Sequence, residues 1–130
     1  MARRQLECEI YTYGIYSHWD DNETKILPRI EEITNMVAIR PGIEFGMVLK
    51  LKGGKGKLLS YRIDHPRMMD NNGHEMPPFE GEYFIDSNEY EFFLGDTVWE
   101  PYEQMAGDWL LSTWCEGKLI ARKKIRLFLL

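Results

Sequence analysis

The chain has 130 residues, a formal net charge of −5, and 44% hydrophobic, 13% aromatic and 28% charged residues. A chain of this length buries a single core, so we expect residues 1–130 to form one domain. The composition excludes a disordered chain, and no apolar run reaches the roughly 20 residues that cross a bilayer, so we expect no membrane partner.

The start of the chain and the cysteines bear on the compartment. Two arginines follow Met1 as in a signal peptide, but Glu7 and Glu9 interrupt the apolar segment that should come next. We therefore expect a cytoplasmic protein, with a periplasmic one as the alternative if a signal peptide has been removed.

Cys8 and Cys115 lack metal-type spacing, so we expect reduced, buried thiols, with a disulfide between strands as the alternative.

The first half of the chain contains four segments with strand patterns, each closed by polar, glycine or proline residues. They are residues 5–16, 30–40, 45–52 and 57–64. In the first, alternation places Leu6, Cys8, Ile10 and Thr12 on one face. The glycine-rich residues 53–56 precede a strand rather than a helix, which indicates a tight turn rather than a phosphate-binding loop.

The second half opens with a long loop at residues 68–79, then one or two strands at 83–94 and a connection at 95–107. Residues 107–130 are two alternating runs around Glu116-Gly117, the pattern of a β-hairpin. Its parity points Trp109, Leu111 and Thr113 toward the core, and Leu110, Ser112 and Trp114 away from it.

These segments total about seven short strands with no convincing amphipathic helix, which predicts an all-β, antiparallel two-sheet sandwich. A Greek-key barrel is the alternative.

Four segments resemble a bacterial family of immunoglobulin-like sandwiches, domain of unknown function 3859. They are YGIY at 13–16, RPGIEFGMVLKLKG at 40–53, His65-Pro66, and the GDW…W.EGKLIARKKI ending from Gly107. The resemblance implies an immunoglobulin-like sandwich closed by a Gly-x-Trp strand, a short turn and a final strand. It implies no catalytic residues. The family's usual Ile-Pro appears here as Ile39-Arg40-Pro41, a departure at the start of that segment.

Charge is segregated along the chain. Residues 68–117 contain twelve acids and no Lys or Arg, whereas residues 118–130 contain five basic residues and no acid. One interpretation is that opposite signs neutralise each other across neighbouring strands. The other is an acidic surface set against a basic one, which would steer a partner or a second copy of the chain.

Metal binding is the first chemical hypothesis. The loop from Asp70 through His74 to Glu75 offers oxygen ligands but lacks the spacing of a calcium loop, so we expect a polar turn. Calcium or zinc bound at this loop is the alternative, and a shared metal site of His18, His65 and His74 is a second one. Neither a cofactor nor a metal is expected.

Catalysis and nucleic-acid binding have little support. Acids recur every few residues, as is typical of a solvated face, and the chain has no Gly-x-Ser-x-Gly elbow. The alternation of the last hairpin places Cys115 on the core face, where a thiol is not a ready nucleophile. We therefore predict no enzyme. Arg122, Lys124 and Arg126 share one face of the last strand. The sequence pI near 5.2 argues against a nucleic-acid partner, because an acidic chain repels phosphate groups. We interpret these three basic residues instead as charges on an edge strand that block its pairing with another strand.

Exposed aromatic residues are the functional hint. Trp114, beside Ile120 or Phe128, would leave an apolar patch of the kind that forms interfaces. Three further aromatics are either exposed anchors or loop residues packed on the core: Trp19, Trp99 and Tyr102. We predict a non-catalytic binding module for a protein, with a homodimer as one form. The alternatives are a metal-binding module or metal-dependent enzyme, and a carbohydrate-binding module.

Overall fold

A computed structural model describes residues 6–18 and 27–130, which form nine strands and one short 3₁₀ helix. The strands are β1 Glu7–Tyr16, β2 Ile30–Ile33, β3 Met36–Ala38, β4 Glu44–Lys52, β5 Leu58–Asp64, β6 Phe79–Phe84, β7 Glu89–Thr97, β8 Gly107–Cys115 and β9 Lys118–Phe128. The helix is Tyr102–Met105.

The strands form two sheets, a four-stranded one in the order β2-β1-β4-β7 and a five-stranded one in the order β3-β9-β8-β5-β6. The predicted two-sheet sandwich is confirmed. The strand number differs because the segment predicted as one strand at residues 30–40 is two strands in different sheets. β2 pairs with β1, and after a bend β3 pairs in parallel with β9. Likewise, residues 83–94 fall on β6 and β7.

The terminal hairpin is the element that local sequence determines most directly. β8 and β9 pair in antiparallel fashion around Glu116 and Gly117, whose φ values are 51° and 78°. Positive φ at both central residues is the type I′ geometry, whose twist matches that of two paired strands. The register slips once: Thr113 faces Ala121, but Trp114 faces Leu119, so β9 carries one extra residue there.

A second irregularity changes which residues of β1 face the core. The register with β4 shifts between Ile10 and Thr12, which adds one residue to β1. Beyond this bulge Tyr13 and Ile15 pack against the core, whereas the Thr12 hydroxyl lies 2.7 Å from the Tyr16 hydroxyl. The predicted parity of β1 is therefore right up to Ile10 and wrong at Thr12.

The core lies between the sheets, with Trp109 at its centre. Trp109 is fully buried, and its ring meets the Phe45 ring of the opposite sheet edge-on, with 5.0 Å between centroids. Its indole N–H donates to the Met105 carbonyl at 2.9 Å. Alternate residues of β4 supply much of the facing layer: Phe45, Met47, Leu49 and Leu51.

Three glycines lie side by side across the four-stranded sheet. Gly14 of β1 pairs with Gly46 of β4, and Gly46 pairs with Gly95 of β7. A Cβ atom on Gly46 would overlap the Leu94 carbonyl oxygen, and one on Gly95 would overlap the Phe45 carbonyl oxygen. Any side chain at these positions therefore forces the neighbouring strand apart.

We expect Gly46→Ala to lower the free energy of unfolding by about 3 kcal/mol, because the added methyl meets rigid backbone. Gly42 is the matched control, since its φ of 75° is left-handed but its Cβ would meet nothing within 4 Å. Gly42→Ala should lower it by only about 1 kcal/mol. Urea unfolding of the two variants measures this, and equal losses would contradict the overlap argument.

Candidate interaction surface

The outer face of the five-stranded sheet carries acids at one edge and basic residues toward the other. Glu80 and Glu82 of β6 face away from the core, as do Arg122 and Lys124 of β9. One cross-strand row runs from Glu80 through Arg62 and Ser112 to Arg122. Its charges are partly neutralised within the chain, since an Arg62 nitrogen lies 3.6 Å from a Glu80 oxygen.

An apolar patch lies on the same face, toward the Glu116-Gly117 turn. We call it the outer patch, and it consists of Leu58, Phe84, Trp114 and Leu119. Register makes Leu58 the partner of Phe84, and Leu119 the partner of Trp114. Leu58, Phe84 and Leu119 are 52%, 60% and 47% exposed, and Trp114 is half-buried. Exposed apolar side chains clustered in this way are typical of an interface rather than of scattered surface residues.

Two residues predicted beside Trp114 lie elsewhere. Because of the extra residue in β9, Leu119 is the direct cross-strand partner of Trp114, and Ile120 is half-buried and packs against the core. Phe128 pairs with Ala38 at the far end of β9. It lies nine positions from Leu119, or about 30 Å along the strand.

The other predicted aromatic anchors are not free surface residues. Trp99 and Tyr102 are half-buried and pack against the core, and the Trp99 ring meets the Trp109 ring at 6.3 Å between centroids. The Trp99 backbone N–H donates to the Met105 sulfur at 3.2 Å. The interpretation that these loop residues pack on the core is therefore correct for both. Trp19 lies outside the described residues.

The histidines do not form the shared metal site that the sequence left as an alternative. His65 has both ring nitrogens beside backbone carbonyl oxygens, Nδ1 at 2.6 Å from Pro66 and Nε2 at 2.8 Å from Pro77, so neither faces a ligand position. His18 is exposed beside Glu44. Among residues 6–18 and 27–130, no group of three or more His, Cys, Asp or Glu side chains is placed to hold a metal ion.

The loop at residues 70–75 is a polar turn stabilised from within. The Asp70 side chain accepts hydrogen bonds from the backbone N–H groups of Asn72 and His74 at 2.8 and 2.9 Å. Its other oxygen lies 3.8 Å from the His74 ring, and Glu75 lies 3.8 Å from Arg67. This arrangement is an Asx turn, as such residues form without any ligand.

Both thiols are free and unsuited to nucleophilic chemistry. Cys8 is half-buried and Cys115 buried. Burial raises the pKa of Cys8 to about 11 and also raises the pKa of Cys115, with Glu116 adding to the effect. A raised pKa keeps a thiol protonated, and the protonated form is the unreactive one.

One perturbed carboxyl group lies at the end of the four-stranded sheet. Desolvation raises the pKa of Asp96 to about 6, and nearby Glu44 adds to the shift. The Thr97 backbone N–H, which donates to Asp96 at 2.8 Å, acts in the opposite direction. Glu44 is buried and accepts the Thr97 hydroxyl at 2.6 Å.

We expect this carboxyl group to make stability depend on pH between about 4 and 6. The pKa of Asp96 rises from its ordinary 3.8 to about 6 in the folded chain, so the folded state binds more protons in that window. Stability contributed by Asp96 therefore falls as pH rises through the window and is constant above it.

Asp96→Asn keeps an oxygen for the Thr97 N–H and removes the charge. Its gain in unfolding free energy over the wild type should be near zero at pH 3.5 and reach about 2–3 kcal/mol at pH 7. Urea unfolding at several pH values measures the gain. A gain that does not vary with pH would contradict the assignment.

The chain matches one protein family along nearly its whole length, over residues 4–126. It belongs to the family described as Domain of unknown function (DUF3859). Among curated proteins, no sequence matches the chain.

The fold of this chain is similar to that of a solved structure. An immunoglobulin-like protein from Pseudomonas aeruginosa shares 20% identity, covers 98% of this chain and 100% of its own, and superposes with a TM-score of 0.78. The predicted immunoglobulin-like fold is thereby confirmed. The Pseudomonas fluorescens alkylpurine DNA glycosylase AlkC, bound to DNA containing an abasic site analog, covers 96% of this chain and 31% of its own at 11% identity. Its TM-score of 0.44 is too low to support an inference.

Within the described part of the chain, no helix has the length and apolar character needed to traverse a bilayer.

Proposed function

We propose that this DUF3859 domain is a non-catalytic interaction module that pairs with a second copy of itself through the outer face of its five-stranded sheet. The observation that carries the proposal is the combination of the outer patch with opposite charges at the two sides of one face. Such a face is self-complementary, as a two-fold symmetric interface must be.

The charge pattern selects one orientation of the second copy. A two-fold axis parallel to the strands, between β5 and β8, places β6 of each copy over β9 of the other. Glu80 and Glu82 then approach Arg122 of the second copy. A two-fold axis perpendicular to the strands would place β6 over β6 and bring acids against acids. Like charges in contact disfavour association, so the first arrangement is the expected one.

The size of the face is adequate for a weak dimer. The four strands that overlap about this axis, β9, β8, β5 and β6, are about 4.8 Å apart and about 25 Å long, so they present about 500 Å² per copy, or about 1,000 Å² in total. That area is at the lower limit for a specific interface. Trp114 lies on β8, one of the two strands beside the proposed axis, and tryptophan is enriched among the residues that dominate binding energy.

The described side chains support binding more than chemistry. The nitrogens of His65 face carbonyl oxygens, and burial raises the pKa of Cys115. Carboxylates that pair with basic groups, such as Glu80 with Arg62 and Glu116 with Lys57, lie on exposed strands or turns. These arrangements fit a surface built for contact.

We expect Trp114→Asp to weaken dimerisation by about 30-fold or more, because it replaces this aromatic contact with a charge. Sedimentation velocity over a range of concentrations measures the monomer–dimer balance. Tyr11→Asp is the matched control, since Tyr11 is 57% exposed on the other sheet, and it should leave the balance unchanged. A wild-type chain that stays monomeric at 100 μM, or a Trp114→Asp chain that dimerises normally, would rule out this interface.

The orientation has its own test, in which charges are exchanged. Glu82→Lys alone should weaken the dimer about fivefold, because it places a basic residue diagonally opposite Arg122 of the second copy, in the row next to that of Glu80. Glu82→Lys combined with Arg122→Glu should restore much of the loss. Restoration is expected only if β6 of one copy faces β9 of the other, so two additive losses would contradict that orientation.

A further inference from the structure

The long loop between β5 and β6 folds into a small hairpin that places two methionines on one face. Met69 and Glu75 form an isolated antiparallel bridge, and beside it the Met76 backbone N–H donates to the Met68 carbonyl oxygen at 2.8 Å. In this register Met68 lies opposite Met76, and opposed side chains of an antiparallel pair share a face. Met68 is buried in the core and Met76 packs against the core, so this shared face is the inner one.

A third methionine comes to the same region from the short helix. Met105 is the last residue of the helix Tyr102–Met105 and is fully buried, and its sulfur accepts the Trp99 backbone N–H at 3.2 Å. The Gln104 side-chain oxygen accepts the Met69 backbone N–H at 2.6 Å. This hydrogen bond joins the hairpin to the helix and so holds the methionines of the two segments near each other.

A cavity of about 370 Å³ lies where the hairpin and the helix meet. Met68, Met76 and Met105 all line it. Methionine is a flexible side chain that usually fills irregular gaps in a core. Here three methionines line a space that remains open, so gap filling does not account for them.

The charged residues that line this cavity are acidic. They are Asp70 and Glu100, and no Lys, Arg or His in the described part of the chain lines it. A negative wall attracts a cation rather than an anion. The acids alone do not form a site for calcium, because the Asp70 carboxylate already accepts the backbone N–H groups of the Asx turn. The sulfur atoms are therefore the ligands to consider.

We propose that this cavity is a binding site for copper(I), with the thioether sulfurs of Met68, Met76 and Met105 as the ligands. Thioethers are soft ligands and select copper(I), whereas magnesium, calcium and manganese prefer oxygen. The site contains none of the residues of the outer patch, so the inference goes beyond the proposed self-association and does not depend on it.

The test is a titration of the full chain with silver nitrate in a chloride-free buffer, followed by NMR of isotope-labelled methionine methyl groups. Silver(I) has the charge and softness of copper(I) and keeps its oxidation state. The methyl signals of Met68, Met76 and Met105 should shift together and saturate at one silver ion per chain. Met36 is the internal control, a methionine 49% exposed on β3 whose signal should not move. No shift at excess silver, or equal shifts of Met36, would overturn the proposal.

The two free thiols need a control of their own, because thiols also bind silver(I). In a chain carrying Cys8→Ala and Cys115→Ala the three methyl shifts should persist, and their loss would place the silver on a thiol instead. If that chain does not fold, the pH dependence in the wild type decides. Thiol and imidazole ligands lose a proton on binding a metal, whereas a thioether has none to lose. Affinity should therefore be equal at pH 5.5 and 7.5, and a tenfold rise with pH would overturn the assignment of the ligands.

A matched pair of variants tests the contribution of one sulfur. Met76→Leu keeps a similar volume and removes a ligand, so it should weaken silver binding about tenfold or more, as even residues that only orient a ligand contribute about tenfold. Met36→Leu makes the same exchange on β3 and should leave the affinity unchanged. Equal affinities of the two variants would overturn the site. Trp114→Asp should bind silver as the wild type does, which keeps this result distinct from the outcome for the dimer.

Discussion

The burial of Trp109 is the constraint on which the rest of the structure depends. Its ring contacts Phe45 of the opposite sheet, His65 from the loop after β5 and Trp99 from the loop after β7. Its N–H donates to the Met105 carbonyl oxygen, which would otherwise be a buried acceptor without a partner. One side chain thus joins both sheets and two connecting segments. Those segments turn inward to cover it, and for this reason Trp99 and Tyr102 are core residues rather than surface anchors.

The sequence pattern predicted those elements whose geometry depends only on residues that are neighbours along the chain. The hairpin depends on two turn residues and on alternation, both of which can be read along the chain, and its inward Trp109 and outward Trp114 are as predicted. The bulge at Tyr11 and the crossing from β2 to β3 could not be predicted in the same way. Each is defined by pairing with a distant strand, so the sequence near it shows only a continuous run of strand-forming residues.

In the outer patch, this dependence on pairing with distant strands affects the prediction of function. Parity was enough to place Trp114 on the outer face, but its neighbours depend on register between strands. One extra residue in β9 makes Leu119 the cross-strand partner of Trp114, and the pairing of β5 with β6 adds Leu58 and Phe84. Leu58 and Phe84 each carried a detectable signal, an apolar residue at the outward parity of its strand, but only the register joins them into one patch.

The segregation of charge along the chain becomes, in the fold, a difference in charge between strands. Some opposite charges do meet across strands, as in Arg62 with Glu80 and Arg126 with Asp108, so neutralisation explains part of the pattern. It applies to β7 as well, where Glu91 and Glu89 face Lys50 and Lys52. It is incomplete on the edge strand β6, where Glu82 faces Ser60 rather than a basic residue. An edge strand has half the cross-strand partners of a central strand, so its charges remain available. Glu82 therefore keeps its charge at the edge of the outer face, where the proposed two-fold arrangement brings it toward Arg122 of the second copy.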